Sequence, residues 1–290
     1  MTGPRDREPP LPAADDLPAW SEPFAATSRE RLARLPALAA IDREWAWGGS
    51  TGAGVTVGVI DSGVEGDHPA VKGRLVEAYS VEMRDGEPEV VPDPSRSDLF
   101  GHGTACAGII VEMAPEVEIV SVRVLGADLK GKGAAFVAGL EHLIERPVNV
   151  ANLSLSSKSE ALFPIFHDLA DEAYFKNVVL VSAANNVPGA SYPSLFSSVI
   201  SVAGHSEPDP WRFYYNPYPP VEFGAWGLDV PVAWRKGGHS VGTGNSFAAP
   251  RIAALAVLIL AKHPGLAPFE VKAILAAVAD NERNLRQPAG

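Results

Sequence analysis

Short runs of β-branched and apolar residues recur at positions 55–60, 119–124, 148–155, 178–183 and 199–202. Each is too apolar to keep one face in water, so each reads as a strand covered on both sides. Between and after them, 3.6-residue patterning predicts helices over 134–145, 160–175 and 269–279, with another following Ser246. Strands of that kind alternating with helices imply an α/β three-layer sandwich, a mostly parallel central sheet with helices on both faces. We expect one domain over residues 25–290 and a proline-rich, disordered tail over 1–24, with a short helix beginning at Arg29. No internal repeat is visible.

One stretch couples a possible reactive group to the core. Gly242-Thr243-Gly244-Asn245-Ser246-Phe247-Ala248-Ala249-Pro250 leads into an apolar run over 252–261. That run reads as a helix buried on most sides, with Pro250 expected in its first turn, where a missing N–H costs nothing. Ser246 then sits at a helix N-terminus, where backbone N–H groups and the helix dipole favour developing negative charge. An ordinary serine cap is the plain alternative.

In open α/β sheets ligands bind beyond the carboxyl ends of the strands. Three further polar residues fall at such ends or in glycine-flanked turns: Asp61 after 57–60, His102 within Gly101-His102-Gly103-Thr104, and Asn185 after 178–183. Each alone reads as a turn or structural residue. Together with Ser246 they give the chain order Asp, His, Ser, one of the known orders of a hydrolytic triad.

These residues also carry a resemblance. Gly58-Val59-Ile60-Asp61-Ser62-Gly63-Val64 with His68-Pro69 is similar to the aspartate motif of the subtilisin-like serine proteases, the subtilases. Gly101 to Gly108 resembles their histidine motif, Ala183-Ala184-Asn185-Asn186 with Tyr192-Pro193-Ser194 their oxyanion segment, and Ser246-Phe247-Ala248-Ala249-Pro250 their serine motif. The resemblance spans roughly residues 52–279. It implies a subtilisin-like fold and a serine endopeptidase that works through an acyl-enzyme on a polypeptide or precursor-peptide substrate. Ser246 would be the nucleophile, His102 the base and Asp61 its orienting acid. Asn185 with the Ser246 N–H would hold the oxyanion. Ser154, Leu155 and Ser156, with Leu129, Lys130 and Gly131, would flank an added substrate strand. The chemistry requires no cofactor, although the resemblance allows a structural calcium ion. The chain departs from the family pattern at Asn245, where threonine is usual, and at Ser156, where glycine is usual.

Rival readings are weaker. An α/β-hydrolase needs its acid and then its histidine after the serine, and here His263 precedes Asp280. Residues 126–132 have phosphate-loop spacing, but Gly133 replaces the metal-binding hydroxyl and Asp128 would repel phosphate. The alternative that remains is a catalytically weak or inactive subtilase fold acting as a peptide-binding module.

Composition limits partners and place. A net charge of −11 excludes a nucleic-acid footprint. A single cysteine, Cys106, excludes an intrachain disulfide. Residues 1–24 hold no apolar signal core, and an apolar run of about ten residues is too short for a membrane span. The expected location is therefore cytoplasmic. Residues 82–97 read as an acidic surface loop or short hairpin, with Asp85, Glu87, Asp93 and Asp98 a solvated charge run, and the aromatic-rich segment 207–220 as a self-packed surface loop in preference to a wall of the peptide cleft.

Overall fold

The computed structural model describes residues 40–281 apart from 219. The described residues from Ile41 onward form one compact unit. The tail expected over 1–24 and the helix expected from residue 29 lie outside the described residues.

In chain order the elements are α1 (Arg43–Trp47), β1 (Thr56–Asp61), β2 (Leu75–Arg84), β3 (Glu87–Pro92), α2 (His102–Met113), β4 (Glu118–Arg123) and α3 (Gly133–Ile144). There follow β5 (Val150–Leu153), α4 (Phe163–Phe175), β6 (Val179–Ala183), β7 (Ile200–His205), β8 (Phe213–Tyr215) and β9 (Phe223–Trp226). The chain then forms β10 (Val230–Trp234), β11 (Gly238–Gly242), α5 (Asn245–Lys262) and α6 (Pro268–Ala277). Every strand and helix expected from apolar patterning is present, within a few residues of its expected ends.

Nine strands form one sheet in the order β3-β2-β4-β1-β5-β6-β7-β9-β8. The interior pairings are parallel, while β3 and β8 pair antiparallel at the two edges. Alternation along β1 divides the core. Val57 and Val59 pack with α2, α5 and α6, and Ile60 packs with α3 and α4 on the opposite face. Gly58 faces α3 so closely that a β-carbon would lie 2.4 Å from Leu143 Cδ1. Helices on both faces of a mostly parallel sheet make the three-layer α/β sandwich.

Three expectations are sharpened or change. Of the two forms open to the acidic segment the hairpin is the one present: β2 and β3 pair antiparallel and extend the sheet, turning at Asp85-Gly86. Charged, outward positions along β2 break the apolar run that marks the interior strands, so the pattern alone does not choose between loop and hairpin. The aromatic segment likewise supplies β8, with Phe213 buried against the core and Tyr218 exposed. Finally, α5 is longer than its apolar run. Over 18 residues it is long and apolar enough to cross a membrane by length and composition, yet 78% of it is buried inside this protein. It is the core helix, and burying each of its Leu, Ile and Val side chains contributes roughly 1.5–3 kcal/mol.

The sheet register sets the site. Within it β1, β5 and β6 lie side by side, with Ile60 opposite Leu153 and Leu153 opposite Ser182. Asp61, Ser154 and the segment after Ala183 therefore emerge together at one edge, beyond the carboxyl ends.

Candidate active site

Asp61 ends β1 fully buried, with both carboxylate oxygens 2.8 Å from His102 Nδ1. The Ser62 N–H donates to Asp61 Oδ1 at 2.7 Å and fixes the carboxylate's rotation. A proton shared on the Nδ1 side leaves Nε2 as the basic nitrogen of the ring. Burial alone would push this imidazole down, but the facing Asp61 carboxylate outweighs it and holds His102 well above its usual value. Cys106 stands one helical turn further on, its Sγ 4.0 Å from His102 Nδ1 and 3.8 Å from Asp61 Oδ2. Burial pushes that thiol up despite His102, which keeps it neutral beside the pair.

Asp98 joins the two motifs. Its Oδ1 accepts from Ser62 Oγ (2.8 Å) and from the N–H groups of Phe100 (2.9 Å) and Gly101 (2.7 Å). Its Oδ2 accepts from the Thr104 N–H (2.8 Å) and Oγ1 (2.7 Å). Read from sequence as one charge of an acidic loop, Asp98 is instead buried at the start of α2, where unpaired N–H groups favour a carboxylate. The backbones of the two motifs nearly touch, since a β-carbon on Gly103 would lie 2.0 Å from Gly63 O. Asp93 pairs with Arg123 at 3.0 Å, and Asp85 and Glu87 sit on the exposed hairpin. Among the described residues, the His, Cys, Asp and Glu ligand atoms that do converge are those of Asp61, His102 and Cys106.

Ser246 is the second residue of α5, so its N–H has no helical acceptor. Pro250 falls in the second turn and not the first, because α5 begins at Asn245. Lacking an N–H, Pro250 cannot donate to the Ser246 carbonyl. Ser154 Oγ does so from outside the helix at 3.0 Å, and Cys106 Sγ lies 3.6 Å from the same oxygen. Ser154 Oγ in turn accepts from Asn152 Nδ2 at 2.9 Å. Ser246 and His102 line the same cleft without a direct hydrogen bond between their side chains. Such contacts commonly tighten only when substrate arrives.

Two adjacent asparagines follow β6 into the cleft. Asn185, the expected oxyanion donor, uses its Oδ1 to accept the Val187 N–H at 2.9 Å, a local turn. Asn186, to which the sequence assigns no role, accepts the Asn245 N–H on its Oδ1 at 2.9 Å. Its carboxamide therefore stands against the turn that carries Ser246. The doublet is visible in the sequence, but only this contact distinguishes its members.

The cleft has a volume of about 480 Å³ and contains every other residue expected from sequence: Leu129, Lys130, Gly131, Ser154, Leu155 and Ser156. Segments after β4 and β5 supply its walls, with Val124, Leu125 and Phe136 as the apolar floor. Among the described residues no backbone–backbone hydrogen bond outside regular elements engages Gly131, Leu155 or Ser156. Ser156 and Ser157 both line the cleft. The lining carries Lys130 and Lys132 and no carboxylate, in a chain of net charge −11. None of the described residues of the aromatic segment 207–220 lines it.

Comparison with known proteins agrees with this geometry. The family model described as "Subtilase family" matches residues 52–290. Subtilisin DY of Bacillus licheniformis is 28% identical over 248 residues, 80% of this chain and 86% of the relative. An intracellular serine protease of Paenibacillus polymyxa is 28% identical over 241 residues, 77% of this chain and 71% of the relative. The crystal structure of a cold adapted subtilisin-like serine proteinase superposes with a TM-score of 0.68 at 26% identity, covering 85% of this chain and 93% of the other.

Proposed function

This chain belongs to the subtilase family and is a subtilisin-like serine protease, and from that premise we propose that it cleaves polypeptides through Asp61, His102 and Ser246. Ser246 Oγ attacks the scissile carbonyl while His102 Nε2 takes its proton, and Asp61 holds the Nδ1 proton and stabilises the imidazolium. The tetrahedral oxyanion rests on the Ser246 N–H and on a side-chain amide. We assign that amide to Asn186 in preference to Asn185, because Asn186 is anchored directly on the nucleophile turn. Collapse passes the proton from His102 to the leaving amine and leaves an acyl-enzyme. Water, deprotonated by His102, then releases the acid. The substrate lies as an extended strand between Lys130-Gly131 and Leu155-Ser156. The observation that carries this reading is the buried Asp61–His102 pair, whose histidine lines the same cleft as Ser246.

A serine-reactive phosphonate and an unstructured polypeptide test it together. Labelling at Ser246 and cleavage, both abolished in Ser246→Ala, are the expected result. Neither labelling nor cleavage in the wild type would leave the inactive, peptide-binding reading in its place. Asn186→Ala should lower kcat more than Asn185→Ala does; the reverse order restores the sequence-based assignment. Loss of one oxyanion donor costs on the order of 100- to 1,000-fold, a scale set by measurements on a subtilisin, a member of this same family.

The lone Cys106 and the similarity to a protease named as intracellular support action in a reducing compartment. Fractionating cells that express the chain would check this: activity confined to the medium would overturn it.

A further inference from the structure

Asn245 stands where the family usually has threonine, and its half-buried side chain is fully engaged, with none of its bonds to its own helix. Its Oδ1 accepts the N–H of Gly204 in β7 at 2.8 Å. Its Nδ2 donates to the Ala184 carbonyl at 3.0 Å and reaches the Asn185 carbonyl at 3.3 Å. Its own N–H donates to Asn186 Oδ1 at 2.9 Å. One residue thus ties the first turn of α5 to the carboxyl ends of two neighbouring strands and to the asparagine doublet.

We infer that Asn245 is a positioning residue, one that fixes the Asn185-Asn186 segment against Ser246 so that the Asn186 amide is held where the oxyanion forms. This rests on the proteolytic reading above. Reach is the physical reason. The Ala184 and Asn185 carbonyls leave the sheet just before Asn186, and with Gly204 they bracket Asn245. A carboxamide accepts at Oδ1 and donates up to two protons from a separate atom, Nδ2, whereas a threonine hydroxyl accepts and donates through one atom, with a single proton and a shorter reach. The bonds through the side chain control where the segment lies; the bond through the Asn245 N–H controls how the Asn186 amide is turned. Asn186 Oδ1 is thereby occupied, which leaves the Asn186 NH2 group as the part free to meet a developing negative charge.

Asn245→Ala keeps the backbone bond to Asn186 but releases Gly204 and both carbonyls. The expected result is a kcat lower by about 10- to 100-fold, the scale on which roughly 1 Å of misplacement acts, with KM changed by no more than about threefold. Asn245→Asp retains the acceptor for Gly204 but sets a carboxylate against two carbonyls, so it should be slower still. In an Asn186→Ala background, Asn245→Ala should cost less than about threefold, because a residue that acts through Asn186 has nothing left to position. A structural role alone would leave the two losses multiplicative. Should Asn245→Ala fail to fold, Asn245→Thr gives the same comparison with a smaller expected loss. Unchanged kcat in a folded variant, or equal losses in both backgrounds, overturns the inference while a cleaving wild type leaves the proteolytic reading standing. A wild type that neither cleaves nor labels would remove that reading and this inference with it.

Discussion

Ser154 Oγ donates a 3.0 Å hydrogen bond to the backbone carbonyl of Ser246, the oxygen that Pro250 leaves without a helical donor. A helix-breaking residue four positions on thus gives the serine turn a contact with the strand segment that lines the cleft. Ser154→Ala leaves that part-buried carbonyl with only the weak Cys106 Sγ contact, and we expect it to cost about 1 kcal/mol, measured as a shift in urea midpoint. Pro250→Ala returns an N–H to that carbonyl, so Ser154→Ala should cost clearly less in that background. Equal costs in the two backgrounds would show that the bond is incidental.

The pH profile follows from His102. Its base form is the neutral ring, and its value is raised by the Asp61 carboxylate against the opposing effect of burial. The acid limb of kcat/KM should therefore lie above the ordinary histidine value of about 6.5. Stability runs the other way. A group raised by folding contributes fully below its unfolded value, and the contribution is lost as pH rises through its folded value. Urea stability from this pair should fall across the window in which activity rises. A midpoint at or below about 6.5 would contradict the assignment.

The cleft's charge predicts a substrate bias. Lys132 has no ion-pair partner among the described residues, whereas Lys130 is near Asp128 at 3.8 Å. Peptides bearing Asp or Glu upstream of the cut should show kcat/KM several-fold above their lysine counterparts at low salt. Surface charges are screened beyond about 10 Å at 0.1 M salt, so the preference should shrink as salt is added. Lys132→Glu should reverse it, and a preference that survives that substitution would assign it elsewhere.

Cys106 is fully buried beside both His102 and Asp61. A bulky thiol reagent should react slowly, and activity should fall in step with the fraction modified, as the adduct displaces the imidazole. A completely modified sample with full activity would rule this out.

Much of this protein was legible in its sequence because interior parallel strands must be apolar on both faces. That requirement wrote β1, β4, β5, β6 and β7 into the chain, and with them the edge where Asp61, Ser154 and Asn185 emerge. The hairpin of β2 and β3 was legible only as one of two alternatives, since positions at and next to a sheet edge tolerate charge. Asp98 was misread for a related reason: a carboxylate beside a helix start looks, in sequence, like one in a loop.

The sequence by itself determined the layered architecture and the residue types able to carry the chemistry, through local patterning and short motifs. Tertiary structure decided which of two asparagines faces the nucleophile turn, where the Ser246 carbonyl finds its donor, and which groups the Asn245 amide binds. Those are contacts between residues about 40 to 90 positions apart, set by strand order and helix placement, and no local pattern encodes them.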